Sequence, residues 1–483
     1  MRSQRRLSLF LLFPTVLAAS LLTGCSGAET GTPVREWILS TNASLWTDRT
    51  ADLGTRPVGE AASAITIDLS RTLQTIDGFG GCFNELGWDA LQKVSPRERQ
   101  SILRNLFDPE TGCKFNICRM PLGANDYSVD WYSLDETPGD YEMAHFSIDR
   151  DRQRLIPYIK AAQAINPGIR IWASPWSPPT WMKVNQHYAC RADAQVNDLS
   201  ADRQGREMQD QFIMDDRTLS AYALYFSRFV QAYRDEGIDI YAVHVQNEPN
   251  SCQNFPSCIW TPESLARFIG QYLGPRFEQD QLGTQIWLGT IERPQPERVD
   301  AILRDEAASK YVTGVGFQWA GKGVIAHVHE TYPNLKLMQT ETECGRGTND
   351  WGAMEHTFSL MQHYFANGAE AYMYWNMVLD HTGKSQWGWK QNSMISISEN
   401  GEVSYNPEFY LMKHFSAFVR PGARYLQLDT DENCLAFANP DGEVIVVYYN
   451  ETDESRQRTL AVGRSMMTVE LPAKSLSTFR LLL

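Results

Sequence analysis

Val245-Gln246-Asn247-Glu248-Pro249 closes an apolar run that begins at Ile238, and Leu337-Met338-Gln339-Thr340-Glu341 closes another, placing a second carboxylate 93 residues after Glu248. Runs of this kind recur eight times, at residues 75–83, 115–122, 169–174, 238–246, 285–290, 313–319, 335–340 and 369–376. Stretches with helical period separate them, among them 96–106, 152–165, 218–236, 262–276, 297–308, 353–367 and 407–419. Strands that are apolar almost throughout are buried on both faces, and their alternation with amphipathic helices makes the sheet parallel. Eight such units predict an α/β fold, a (β/α)8 barrel over residues 76–419. The alternative, a doubly wound open sheet, would carry a glycine fingerprint at its first strand–helix turn, and none is present.

Beyond residue 419 the helical period stops. Short runs at 435–438, 443–449, 459–462, 467–471 and 477–482, with turns such as Pro440-Asp441-Gly442, predict a β-sandwich over 420–483. Strand-like segments in 36–75, such as Ala64-Ile65-Thr66-Ile67, are expected to complete it. The other end of the chain reads as a targeting signal. Arg2, Arg5 and Arg6 precede an apolar run from Leu7 to Leu22, too short to span a bilayer comfortably, and then comes Leu22-Thr23-Gly24-Cys25. That ending resembles the lipobox of bacterial lipoproteins; an uncleaved membrane anchor or an ordinary signal peptide is the alternative. The resemblance implies removal of residues 1–24, lipidation of Cys25, a tether over 25–35 and an exported protein anchored to a membrane through lipid.

The chain of 483 residues has a formal net charge of −14, which repels phosphate backbones and argues against a nucleic-acid partner, while a neutral sugar polymer meets no such barrier. Besides Cys25 there are eight cysteines: Cys82, Cys113, Cys118, Cys190, Cys252, Cys258, Cys344 and Cys434. Export permits disulfides, buried free thiols are the alternative, and the spacings match no zinc site. His327 and His329 are two apart on a helix and do not face one ligand, and His244 sits inside a strand, either packed in the core or supporting the site from behind. No metal or cofactor is expected.

In a barrel enzyme the reacting groups sit at the C-terminal ends of the strands. Here those ends carry Asn84 and Glu85, Arg119 to Asp126, Ser174 to Met182, Asn247 and Glu248, Gln318 and Trp319, Glu341, and Trp375 and Asn376. Carboxylates, amides and the rings of Trp176, Trp181, Trp319, Trp375, Trp387 and Trp389 suit a carbohydrate, whose hydroxyls need fixed partners and whose C–H faces pack on aromatic rings. Two carboxylates flanking one bond are the requirement for glycoside hydrolysis. Glu343 rivals Glu341, because two residues on along a strand it would share a face. Glu85 and Glu292, also near strand ends, read as loop-capping or solvated carboxylates.

Taken together, Gly78-Phe79-Gly80-Gly81, Arg119-Met120-Pro121, Ser174-Pro175-Trp176-Ser177-Pro178-Pro179-Thr180-Trp181-Met182, Asn247-Glu248-Pro249, Thr340-Glu341 and Trp375-Asn376 resemble glycoside hydrolase family 30 in order and content. This is the family of glucosylceramidase and of bacterial and fungal β-1,6-glucanases. The resemblance implies Glu248 as acid/base, Glu341 as nucleophile, Asn247 on the sugar 2-hydroxyl, and Asp126, Trp176 and Trp375 around a terminal glucose, with Trp319 in the neighbouring subsite. It also implies a retaining β-glucoside hydrolase that needs no cofactor. Where glucosylceramidase-like members have an aromatic residue after the strand-six tryptophan, this chain has Ala320-Gly321-Lys322-Gly323. That departure, with Trp387-Gly388-Trp389-Lys390-Gln391-Asn392, points toward the β-1,6-glucanase branch. Glucosylceramidase, β-xylosidase and xylanase activities are the alternatives within the family. A non-catalytic glycan-binding lipoprotein is the alternative outside it.

Overall fold

The computed structural model describes residues 34–53, 64–430, 433–462 and 465–482. The signal segment, Cys25 and the tether as far as residue 33 lie outside them, while residues 34 and 35, expected in the tether, begin the strand Val34–Thr41, whose pairing with Ser475–Leu481 starts there. Eight parallel strands close into a barrel: β1 (Gly78–Cys82), β2 (Ile117–Pro121), β3 (Arg170–Ser174), β4 (Ile240–His244), β5 (Gln285–Ile291), β6 (Val312–Gln318), β7 (Lys336–Glu341) and β8 (Ala371–Asn376). Each strand pairs with its neighbours in chain order, and β8 pairs with β1 to close the ring. The barrel predicted from the periodicity is therefore present. Its first strand is shorter than the 75–83 run, because Thr72–Thr75 belongs to a different sheet and Ile76-Asp77 turns the chain between them.

The barrel is filled rather than hollow. Ile117, Trp172, Ala242, Trp287, Met338, Ala371 and Met373 pack across its axis. His244 lies between the rings of Trp172 and Trp287, at 4.2 and 5.2 Å between centroids, and burial pushes its pKa well down, so it is a neutral packing residue. Gly316 is required there, since a β-carbon would come within 2.6 Å of the imidazole.

The second domain is a sandwich built from both ends of the chain. One sheet runs in the order Ser44–Asp48, Val34–Thr41, Ser475–Leu481, Val444–Asn450, Cys434–Ala438, Arg424–Leu426, Thr72–Thr75. The other runs Ser465–Leu471, Arg456–Val462, Ala64–Ile67. Trp37, Leu39, Ile65, Val446, Leu460, Met467 and Phe479 share its core. His414, on the helix Pro407–Ser416, ties the sandwich to the barrel. Its Nδ1 and Nε2 lie 2.8 Å from Thr478 Oγ1 and Ser40 Oγ. Because the Thr478 hydroxyl already donates to the His414 carbonyl, Nδ1–H must donate and Nε2 must accept from Ser40. Burial pushes His414 down to about 3, which keeps this neutral arrangement.

Cys82, Cys113, Cys118, Cys190, Cys252, Cys258 and Cys344 are free thiols. Among the described residues no group of His, Cys, Asp or Glu has the geometry to hold a metal ion, and no helix is long and apolar enough to cross a membrane.

Candidate active site

The C-terminal rim of the barrel encloses a cavity of about 300 Å³, within the range of small-ligand sites. Asp126, Trp176, Asn247, Glu248, Trp319 and Glu341 line it, together with residues the sequence did not single out as ligand-binding, such as Ser251, Gln253, Arg293 and Gln391. Trp375 is fully buried behind the wall, 5.5 Å from Trp176 between ring centroids. Trp389 reaches the cavity. Trp181 instead donates to the Asp135 carbonyl, and Trp387 packs on Trp131.

Two residues organise the carboxylates. Arg119, with no solvent exposure, extends its guanidinium across the barrel mouth. It donates to Glu341 Oε2 at 2.8 Å, Asn247 Oδ1 at 2.6 Å and Ser174 Oγ at 3.0 Å. The rings of Trp172, Trp176 and Trp375 surround it, with the guanidinium carbon 4.4 to 5.1 Å from their centroids. Gln318 is the second organiser. Its Oε1 accepts from Arg119 and from Thr340 Oγ1, which fixes the amide so that Nε2 is the donor. That one nitrogen lies 3.0 Å from Glu248 Oε1 and 3.3 Å from Glu341 Oε2. Trp319 Nε1 donates to the other oxygen of Glu341 at 3.1 Å.

Asn247 is oriented by the same logic. Its Oδ1 accepts from Arg119, from Thr290 Oγ1 at 3.0 Å and from Gln318. The Nδ2 donors are left for whatever occupies the cavity. Asp126 Oδ1 and Trp375 Nε1 are buried and meet no hydrogen-bond partner among the described residues, one an acceptor and the other a donor. Glu248 and Trp319 have left-handed backbone, at φ +49° and +48°. That conformation costs a non-glycine residue on the order of 1 to 3 kcal/mol and is held here by surrounding structure, such as the Glu248 N–H bond to the Thr290 carbonyl.

The electrostatics separate the two glutamates. Burial raises the pKa of both. Glu341 faces the Arg119 cation and the Trp319 N–H, which favour its ionised form. Glu248 accepts from the neutral Gln318 amide and feels Arg119 and Arg293 only at a distance, with no ion pair to either. A single proton shared by the pair therefore resides on Glu248. Glu343, the rival, is turned away: it pairs with Lys322 and lies 2.9 Å from His356, and those partners lower its pKa. Glu85 is fully buried, accepts from the Val129 N–H and pairs with Arg150 outside the cavity. Glu292 does line the cavity, so the loop-capping role expected for it describes only part of its surroundings.

Arg119 and Gln318 had no role assigned from sequence. The available signal was an arginine inside a strand buried at all five positions, and an amide at the buried end of another. Arg119→Lys keeps the charge and loses the fork, and should lower kcat by about 100-fold, the scale for losing a preorganised donor. Arg119→Met leaves Glu341 buried without its cation and should destabilise the fold by about 3–5 kcal/mol in denaturant titrations.

A pH effect on stability follows from other buried carboxyls. Burial pushes Asp151 and Glu408 up to about 7 and Glu292 up to about 8. Each therefore holds a proton in the folded state that the unfolded chain gives up near pH 4. Their contribution is complete below that value and is lost as pH rises through 7 to 8. Thermal unfolding should show a falling Tm from pH 5 to pH 8, and Glu408→Gln should flatten the fall.

The comparisons with known proteins agree with this architecture. A model of the glycosyl hydrolase family 30 TIM-barrel domain matches residues 76–419, and one of the family 30 beta sandwich domain matches 422–479. The chain belongs to glycosyl hydrolase family 30. As a member of that family it is an O-glycosyl hydrolase. It is 27% identical to putative glucosylceramidase 1 of Caenorhabditis elegans over 91% of this chain and 86% of that protein. It is also 27% identical to the endo-1,6-beta-D-glucanase neg1 of Aspergillus fumigatus, over 82% of each. Among solved structures, the endo-beta1,6-glucanase BT3312 superposes with a TM-score of 0.77 at 25% identity, covering 93% of this chain and 99% of that one.

Proposed function

We propose that this family 30 enzyme hydrolyses β-1,6-linked glucan with retention of configuration, using Glu341 as nucleophile and Glu248 as acid and then base. The observation that carries the mechanism is the shared amide of Gln318. A nitrogen 3.0 Å from one carboxylate oxygen and 3.3 Å from the other keeps those two oxygens no more than 6.3 Å apart. Retaining enzymes need about 5–5.5 Å between carboxyls, whereas inverting enzymes leave about 6.5–9.5 Å for a water.

In the first step a Glu341 oxygen bonds to the anomeric carbon as the glycosidic C–O bond breaks. Glu248 gives its proton to the departing oxygen. The ester then removes the negative charge that kept Glu248 protonated, so Glu248 becomes a base. It takes a proton from water, the water oxygen bonds to the anomeric carbon, and Glu341 leaves as carboxylate. Asn247 Nδ2 faces the cavity, where a sugar 2-hydroxyl would gain a hydrogen bond that tightens in the transition state.

The linkage rests on likeness to two endo-1,6-glucanases and on the small, exposed Ala320 beside Trp319, which leaves the rim open to a polymer. Likeness to glucosylceramidases keeps a glucosyl lipid as the second reading. A product time course on linear β-1,6-glucan and on glucosylceramide, with Glu341→Ala beside the parent, tests both. Sugar released from the glucan by the parent alone supports the proposal. Release only from the lipid overturns the linkage. We also propose export and anchoring through Cys25, which a Cys25→Ala protein that still partitions with membranes would contradict.

A further inference from the structure

The two catalytic strand ends divide the barrel mouth. In an eight-stranded ring β4, which leads to Glu248, and β7, which ends in Glu341, leave β8, β1, β2 and β3 on one arc and β5 and β6 on the other. The first arc supplies Asp126, Trp176, Trp389 and Gln391 to the cavity. Its buried acceptor and aromatic face suit the sugar that becomes bonded to Glu341. The second arc, with the segment that follows Glu248, supplies Ser251, Gln253, Glu292, Arg293, Trp319 and Ala320. The proton donor stands between the arcs, so the departing group must lie over the second.

That second arc is polar and charged. Glu292 is 1% exposed and accepts from the Asn250 N–H at 2.9 Å and from Ser251 Oγ at 3.0 Å. The neighbouring Arg293 is half-buried, and one of its terminal nitrogens is held by Glu207 at 2.5 Å from the loop that follows β3. Among the described residues its other guanidinium donors meet no hydrogen-bond partner. Arg293 lines the cavity and is anchored by Glu207, which preorganises its remaining donors for a ligand there.

We propose that Arg293, anchored by Glu207 and flanked by Glu292, is the specificity element for the leaving group and selects a sugar over a lipid. This rests on the β-glucosidic reading above. The hydroxyls of a departing hexose accept from the guanidinium, and a hydroxyl near Glu292 donates to its carboxyl. A hydrocarbon leaving group would instead strip water from a buried carboxyl and a guanidinium without returning hydrogen bonds, which is unfavourable.

The test compares two substrates with the same glycone: a β-1,6-linked gluco-oligosaccharide and 4-nitrophenyl β-glucoside, whose leaving group offers no hydroxyls to Arg293. The readout is the ratio of kcat/KM for oligosaccharide over nitrophenyl glucoside. In Arg293→Met this ratio should fall by about 10-fold or more, mainly through KM, as expected for loss of charged hydrogen bonds to substrate. Arg293→Lys should recover part of it, and Glu207→Gln, at the anchor, should lower it by less than Arg293→Met does. An unchanged ratio in Arg293→Met, with a Tm like the parent's, overturns the proposal and leaves the hydrolase reading intact. A parent protein that cleaves neither substrate overturns both.

Discussion

Glu341→Gln should reduce kcat on any β-glucoside by about 10⁴-fold or more, the scale seen when a nucleophile is removed from a covalent mechanism. Glutamine is the informative replacement. It preserves an oxygen toward Arg119, whose guanidinium would otherwise be buried without its carboxylate partner. Loss of activity in the glutamine protein then reports chemistry rather than collapse of the rim. Glu343→Gln is the paired control. Glu343 pairs with Lys322 and with His356, away from the cavity. Its removal should change kcat by no more than a few-fold. The opposite pattern, with Glu343 essential and Glu341 dispensable, would reverse the assignment.

Glu248→Ala should show a loss that depends on the leaving group. Against a sugar leaving group, which needs a proton, the rate should fall by about 10²- to 10⁴-fold. Against an aryl leaving group that departs unaided, the first step should survive and the glycosyl-enzyme should accumulate. Azide, a small anion that needs no base, should then restore turnover and give the β-glucosyl azide. The parent enzyme should have a bell-shaped pH profile bounded by the pair, displaced upward because burial raises both carboxyls. Glu248→Ala should lose the alkaline limb, since no acid remains to titrate. Rescue with the α-azide instead would place the missing group on the other face of the sugar and exchange the roles of the two glutamates.

Most of the barrel was legible because its strands are apolar throughout, and a parallel sheet covered on both faces demands that pattern. Where the reading departed from the structure, local packing explains it. The predicted helix 262–276 is interrupted by a π-helical turn at Ile269–Leu273, where Gly270 lies so close to the Ala307 and Ala308 backbone that a β-carbon would meet it at 2.6 Å. The 297–308 stretch divides into Pro296–Leu303 and Glu306–Ser309, with Asp305 capping the second piece through two backbone N–H groups. Neither contact leaves a trace in periodicity.

In the site, spacing placed residues at the mouth but did not show which side chains meet. The period-two rule put Glu343 on the face of Glu341, yet β7 ends at Glu341 and the rule ends with it. The roles of Arg119 and Gln318 depend on contacts between strands far apart in sequence, as from β2 to β7 and from β6 to the segment after β4. Trp375 is a further case: its ring is enclosed by Trp176 and Arg119, a contact spacing does not show, while its Nε1 meets no partner among the described residues.

The central claim is a covalent bond between the sugar and Glu341. The direct measurement is mass spectrometry of the intact protein, and of its peptides, after exposure to 2-deoxy-2-fluoro-β-D-glucosyl fluoride, which forms the ester quickly and releases it slowly. The account predicts one added fluoroglucosyl group, carried on the peptide that contains Glu341 and absent from Glu341→Gln. A label on Glu248 or Glu343, or no label on a protein that hydrolyses β-glucosides, would contradict it.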